Sequence, residues 1–282
     1  MRLATIRTGT GEEPAVVLPD RGVARVGDLL ADVDGDLVSI LEQGRFTDLA
    51  RAAVAAPRRL FRPRHAVRFA PPYRRPHKIW GIGLNYVEHA GDLAETMPEE
   101  PASFLKADHT VIGPGDPIPL PRQSRRVTAE AELGLVIGIA CRDVPAEDAL
   151  GTVLGVCPVL DQTAEDILQR NPRFLTRAKN FPGFFSFGPE IVPLSELADA
   201  GLDLAELEVS TVLNGRVHRR NTVSNMRYDP AFLVSFHSAV MPLFPGDVIS
   251  TGTPGAVVVA AGDTVECRIS GVGCLRNAVV AG

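Results

Sequence analysis

Between Val127 and Ile139 the chain reads V-T-A-E-A-E-L-G-L-V-I-G-I, with apolar and polar positions alternating in its first half. A strand sends successive side chains to opposite faces. The stretch therefore predicts a strand with Ala129, Ala131, Leu133, Leu135, Ile137 and Ile139 on a core face and Glu130, Glu132, Gly134, Val136 and Gly138 on the other. Strand-like patterns recur along the chain. Leu3–Arg7 and Ala15–Leu18 predict two short strands around a T-G-T-G-E-E turn. Lys78–Tyr86 predicts a buried strand entering a glycine-rich turn, and Val153–Leu160 another with Asp161 at its end. Leu207–Leu213, Asn214-Gly215 and Arg216–Arg220 predict a hairpin on a type I′ turn. Leu243–Pro254 predicts a strand ending in a Thr/Gly turn, and Ala256–Ala260 with Val265–Ile269 a final hairpin. Helical stretches are fewer: Asp28–Glu42, broken near Gly35 with Asp28 as N-cap; Asp48–Ala55; Ala164–Gln169 behind a Thr163/Asp166 capping box; and Pro230–Val240. Phe174–Pro189 carries too much Gly and Pro to form one regular element.

Length and composition narrow the picture. The 282 residues suit one large domain with a small appendage, which the pattern places at 1–70, ahead of a main body at 71–282. A proline-rich connector, Ala56–His77, joins them. The 26 glycines and 23 prolines imply many turns and a β-rich body. Net charge is −5, and the paired arginines are short and scattered, so neither nucleic acid nor an anionic membrane is expected as partner. The four cysteines show no CxxC spacing, which fits a reducing, cytoplasmic setting. Met1-Arg2 leads straight into a strand-like segment rather than a signal-peptide core. No apolar run approaches the ~20 residues a membrane span needs.

The chemistry concentrates on the opening stretch. Two carboxylates about 7 Å apart on a half-buried face repel each other and lose hydration. Either one is protonated, or basic side chains pair with both, or a divalent cation sits between them; on an exposed edge strand both would simply be solvated. Asp161 ends a buried strand before a short helix, a position that serves as ligand or as complement to the helix dipole. In V-E-H-A-G-D-L-A, a helix would set His89 and Asp92 on one face. That is a general-base arrangement, or an exposed polar segment with an incidental histidine. Gly91 and Pro98 favour a loop there.

Taken in order, G-L-N-Y-x-x-H, F-L-K, I-G-P-G-D-P-I, E-A-E-L, R-A-K, N-G, P-G-D-V-I-S-T-G-T-P and G-x-G-x-L-R-N resemble the fumarylacetoacetate hydrolase family. Each piece is weak alone; the ordered set, running from about Lys78 to the C-terminus, is specific. The resemblance implies an α+β, mainly β fold: a rolled mixed β-sheet with a small N-terminal α/β domain, assembled as a homodimer. It implies Mg²⁺ or Mn²⁺ held by Glu130, Glu132 and Asp161, with Lys179 in the active site. Thr253, Arg219 and Tyr86 would contact a small-molecule substrate. His89, oriented by Asp92, would activate water. The implied reaction is hydrolysis of a C–C bond in an acylpyruvate-like (2,4-dioxo) acid through a metal-stabilised enolate. Decarboxylation, isomerisation or hydration of a related acid would use the same site, and a non-catalytic metal-binding homologue would keep the metal alone.

The departures from the family pattern cluster around the acids. Thr128 and Ala129 replace an Asp and an aromatic residue, Leu160 an Asn and Glu165 an Arg. Asn180 and Pro182 replace Ser and Asp, Arg219 a Gln and Val223 a Thr. A shorter segment follows T-G-T-P. An alanine for an aromatic enlarges the space beside the acids, which points to a substrate different from, or bulkier than, simple acylpyruvates.

Overall fold

The computed structural model describes residues 1–86 and 98–282, and the architecture below concerns those residues. Two sheets organise them. The main path of the larger, thirteen-stranded sheet runs Gly22–Arg25, Glu12–Leu18, Arg2–Arg7, Glu190–Pro193, Val153–Ala164, Val127–Ile137, Val248–Ser250, Ile79–Gly83, Ala102–Lys106. The second has five strands in the order Arg216–Thr222, Glu208–Leu213, Thr264–Ile269, Gly273–Ala281, Ile118–Leu120. Pairing is mixed: Val248–Ser250 runs parallel to Ile79–Gly83 and antiparallel to Val127–Ile137. This is the mainly β, α+β class that the resemblance implies, and the β-rich body that the turn-rich composition implies. No described helix is long and apolar enough to cross a membrane.

The strand Val127–Ile137 is central. Val153–Ala164 pairs with it along its whole length, while Val248–Ser250 and Ala256–Val259 share its other edge. Its alternation therefore divides two buried faces rather than core from solvent. Ala129, Ala131, Leu133, Leu135 and Ile137 are all 0% exposed and share a core with Val209, Val265 and Leu275 of the five-stranded sheet. On the opposite face Val136 packs with Cys157, Val159, Phe185 and Phe187, in a core that also takes in Leu3, Val16 and Leu49. The first seventy residues contribute four strands to the large sheet, Arg68–Phe69 included, because Arg2–Arg7 pairs with Glu190–Pro193.

Several local expectations are corrected. The central strand stops at Ile137 and Ile139 is exposed, because the N–H groups of Gly138 and Ile139 both turn to the Thr152 carbonyl. The partner strand continues past Leu160 to Ala164, so Asp161 lies inside it, not at its end. Asp28 falls within a helical turn, Val26–Leu29; the acid that caps a helix is Asp36, which accepts from the Ser39 N–H at the start of Leu37–Glu42. The next helix runs Phe46–Ala55, so Asp48 lies in its first turn rather than opening it. The Thr163/Asp166 box does not form: Thr163 is still strand, and Asp166 accepts from Ser124 instead. Ala256–Val259 and Thr264–Ile269 do not make a hairpin. The former joins the central strand of the large sheet, and the latter turns back on Gly273–Ala281 in the small one. The Asn214-Gly215 hairpin forms as expected, with both residues at positive φ, and Pro230–Val240 is helical behind an Asp229 cap.

Candidate active site

The site follows from one register. Asp161 lies opposite Glu130 and Val159 opposite Glu132, and cross-strand partners share a face. That brings three acids together, with one oxygen from each within 4.8 Å of the others. Asp161 and Glu132 are 0% and 1% exposed, and Glu130 is half-buried. Isolated carboxylates at such depth would be costly, and each has partners. Glu132 Oε2 accepts from Ser250 Oγ at 2.6 Å and from the Gly252 N–H at 2.9 Å. Glu130 Oε1 accepts from Thr163 Oγ1 at 2.8 Å and Thr128 Oγ1 at 3.3 Å. Lys179, at the end of the short helix Leu175–Lys179, bridges Glu130 Oε2 at 2.9 Å and Asp161 Oδ2 at 2.6 Å. Lys106, from Ala102–Lys106, donates to Asp161 Oδ1 at 2.5 Å.

The electrostatics follow from burial and crowding. Burial, then the neighbouring charges of Asp161 and Glu130, push the Glu132 carboxyl up to about 8. Burial pulls the Lys106 ammonium down to about 8, with Asp161 opposing. Burial also works against the Lys179 ammonium, yet Asp161, Glu130 and Glu132 together hold it above the ordinary lysine range. The donor set is all oxygen, which suits a hard divalent cation. Lys179 already places one cation between Glu130 and Asp161, so oxygens from these two acids converge on a cation-sized position. Glu130, Glu132 and Asp161 therefore fit Mg²⁺ or Mn²⁺.

The rim is built from the turn after Val248–Ser250. Thr253 is buried and its hydroxyl exchanges hydrogen bonds with the Gly255 N–H and carbonyl, at 3.2 and 3.3 Å. Thr211 Oγ1 donates to the same carbonyl at 3.0 Å and accepts from the Ala131 N–H at 3.3 Å. The turn is thus tied to the backbone between the two glutamates. Arg219 lies opposite Thr211 across the hairpin, and its methylenes cover Gly255 so closely that any side chain there would collide with them. Tyr86 is fully buried in the apolar core and follows Asn85, which bonds the Thr251 carbonyl and both backbone groups of Tyr228. His89 and Asp92 lie outside the described residues.

Residues 78–280 match the fumarylacetoacetate (FAA) hydrolase family, in its C-terminal domain. The chain belongs to this family. It is 32% identical over 292 residues to the mitochondrial oxaloacetate tautomerase Fahd2a of Rattus norvegicus, covering 99% of this chain and 92% of that one. Its fold is similar to that of maleylpyruvate hydrolase from Sphingobium sp. SYK-6, solved with manganese (II) ion and pyruvate (TM-score 0.82, 31% identity, 100% of each chain). It is similar also to 5-carboxymethyl-2-hydroxymuconate delta-isomerase from Mycobacterium smegmatis (TM-score 0.78, 32% identity, 100% of this chain and 99% of that one). FAA hydrolase family relatives thus carry out tautomerase, hydrolase and isomerase chemistry, and this chain is an enzyme of that family.

Among the described residues, those that sequence reasoning grouped as metal ligands, together with Lys179, come to one place. Four side-chain partners were missed, among them Thr128, which the sequence presented only as a departure from the family pattern. Lys106 stands in the F-L-K motif, and its alternation with Phe104 was the available signal. Ser250 lies in the V-I-S-T-G-T-P run and was read only as strand ahead of the Thr/Gly turn. Thr163 was assigned to a cap, while its hydroxyl serves Glu130.

Proposed function

We propose that this family member is a metal-dependent enzyme acting on a 2-oxo acid, with hydrolysis of a C–C bond in an acylpyruvate-like (2,4-dioxo) substrate as its reaction. The observation that carries the reading is the convergence of Glu130, Glu132 and Asp161 beside Lys179. A divalent ion held there, Mg²⁺ or Mn²⁺, supplies Lewis-acid polarisation of the substrate oxygens. Lys179 offers fixed positive charge to the oxygen on which enolate charge develops, in a site where water screens little. Thr253 and Arg219 orient the distal part of the substrate from the rim, and Tyr86 supports the adjoining wall. His89, held by Asp92, takes the proton of the attacking water. The reading carries a homodimer and a cytoplasmic setting with it.

A second reading, tautomerisation or isomerisation of a related 2-oxo acid, draws support from the relatives with those activities. One comparison separates the two. The metal-loaded enzyme and its His89→Asn variant are assayed on an acylpyruvate and on oxaloacetate. Hydrolysis as the native reaction predicts acylpyruvate cleavage that falls by about 10²–10⁴-fold in the variant, the usual worth of a general base. Keto–enol exchange of oxaloacetate without cleavage of any acylpyruvate would replace the hydrolytic reading by the second. No turnover of either acid by protein that binds metal would leave the non-catalytic homologue.

A further inference from the structure

Lys106 has no part in the reaction just described, yet its burial is complete: the side chains of Lys106 and Asp161 are both 0% exposed. A lysine ammonium has three donors and no acceptor capacity. Here Nζ donates to Asp161 Oδ1 at 2.5 Å and reaches the Gln162 carbonyl at 3.4 Å. The other oxygen, Oδ2, belongs to Lys179, which also holds Glu130. The two oxygens of one carboxylate are thus divided between two cations. Phe104, two residues before Lys106 and so on the same side of its strand, lies 5.9 Å from the Lys106 ammonium and 4.8 Å from that of Lys179. The ring is seated against Gly81, where any side chain would strike it. Lys106 is therefore held on Asp161 Oδ1 from the Ala102–Lys106 strand.

We propose that Lys106 is a positioning residue: it retains Oδ1 of Asp161, so that the carboxylate has only Oδ2, which also accepts from Lys179, to offer a divalent ion shared with Glu130 and Glu132. The inference rests on the metal reading above. A carboxylate can meet a hard cation through one oxygen or two, and a buried lysine fixed on Oδ1 selects the first. Partners that orient a metal ligand in this way are typically worth about 10–100-fold in metal affinity. The bare charge of Lys106 acts with the opposite sign, because removing a buried cation near the site favours a second cation.

The test is Mn²⁺ affinity of the full chain, read by electron paramagnetic resonance of free Mn²⁺, for the unaltered protein, Lys106→Met and Lys106→Gln, with circular dichroism on the same samples. Positioning predicts an affinity loss of about 10–100-fold for Lys106→Met. It predicts recovery to the unaltered value or above for Lys106→Gln, which keeps an N–H donor without the charge. Tighter or unchanged Mn²⁺ binding by Lys106→Met overturns the inference and leaves Lys106 a counter-charge. Where Lys106→Met does not fold, Lys106→Leu takes its place with the same readings: a loss of about 10–100-fold supports positioning, and tighter or unchanged binding overturns it. If the unaltered chain binds no Mn²⁺, the metal reading fails first and the inference with it.

Discussion

The two faces of Val127–Ile137 are both buried, Glu130 only in part, and they are differently stabilised. On one, Ala129, Ala131, Leu133, Leu135 and Ile137 meet other apolar side chains, and burial is itself the favourable term. On the other, Glu130 and Glu132 sit beside Asp161, and burial is the unfavourable term. Two lysines, two threonines, a serine and a backbone N–H offset it there. A single strand thus carries a face that would stabilise almost any fold and a face that is arranged for chemistry.

This contrast can be broken by substitution. The largest effect is expected from Asp161→Ala. It removes the shared partner of Lys106 and Lys179, so metal-free protein should lose about 3–5 kcal/mol of stability, the cost of orphaning buried charge. Denaturant unfolding measures it, and Mn²⁺ binding should be lost in the same variant. Next comes Leu133→Ala on the apolar face. A cavity at this fully buried position should cost about 2–5 kcal/mol, yet leave Mn²⁺ affinity within about threefold, since a separate face holds the acids. A large change in affinity would show that the two faces are coupled.

The most gradual effect, spread over several pH units, sharpens the comparison through pH. Glu132 is raised in the folded chain to about 8 from an ordinary carboxyl value of 4.5. Between those values the folded state binds more protons than the unfolded one, so stability should fall as pH rises from about 4.5 to about 8, by at most about 1.4 kcal/mol per pH unit. Thermal unfolding of metal-free protein across that range should show the decline, and Glu132→Gln should flatten it.

What could be read from the sequence divides along the same line. The alternation in Val127–Ile137 gave both faces, because side-chain period is a local property. Asn214-Gly215 gave its hairpin for the same reason: a two-residue turn sets its own register. The pairing of Ala256–Val259 with Val127–Ile137 was not legible, since no local signal names a partner more than a hundred residues away. Lys106 escaped for a related reason. An isolated lysine in a short strand reads as surface until Asp161, 55 residues on, is placed against it. Thr163 misled because a capping pattern and a strand end look alike when the strand's length is set by its partner.

That division has a consequence for the order in which the chain assembles. Contacts close in sequence form sooner on average than remote ones, because less chain entropy is lost in closing them. Glu130, Asp161 and Lys179 lie within 50 residues, on two adjacent strands and the short helix that follows them. The groups that solvate Glu132, Ser250 and Gly252, arrive 118 and 120 residues later in sequence. Glu132 is therefore the last of the three acids to find its donors on the folding route, and stays open to water until the C-terminal half of the sheet closes over it.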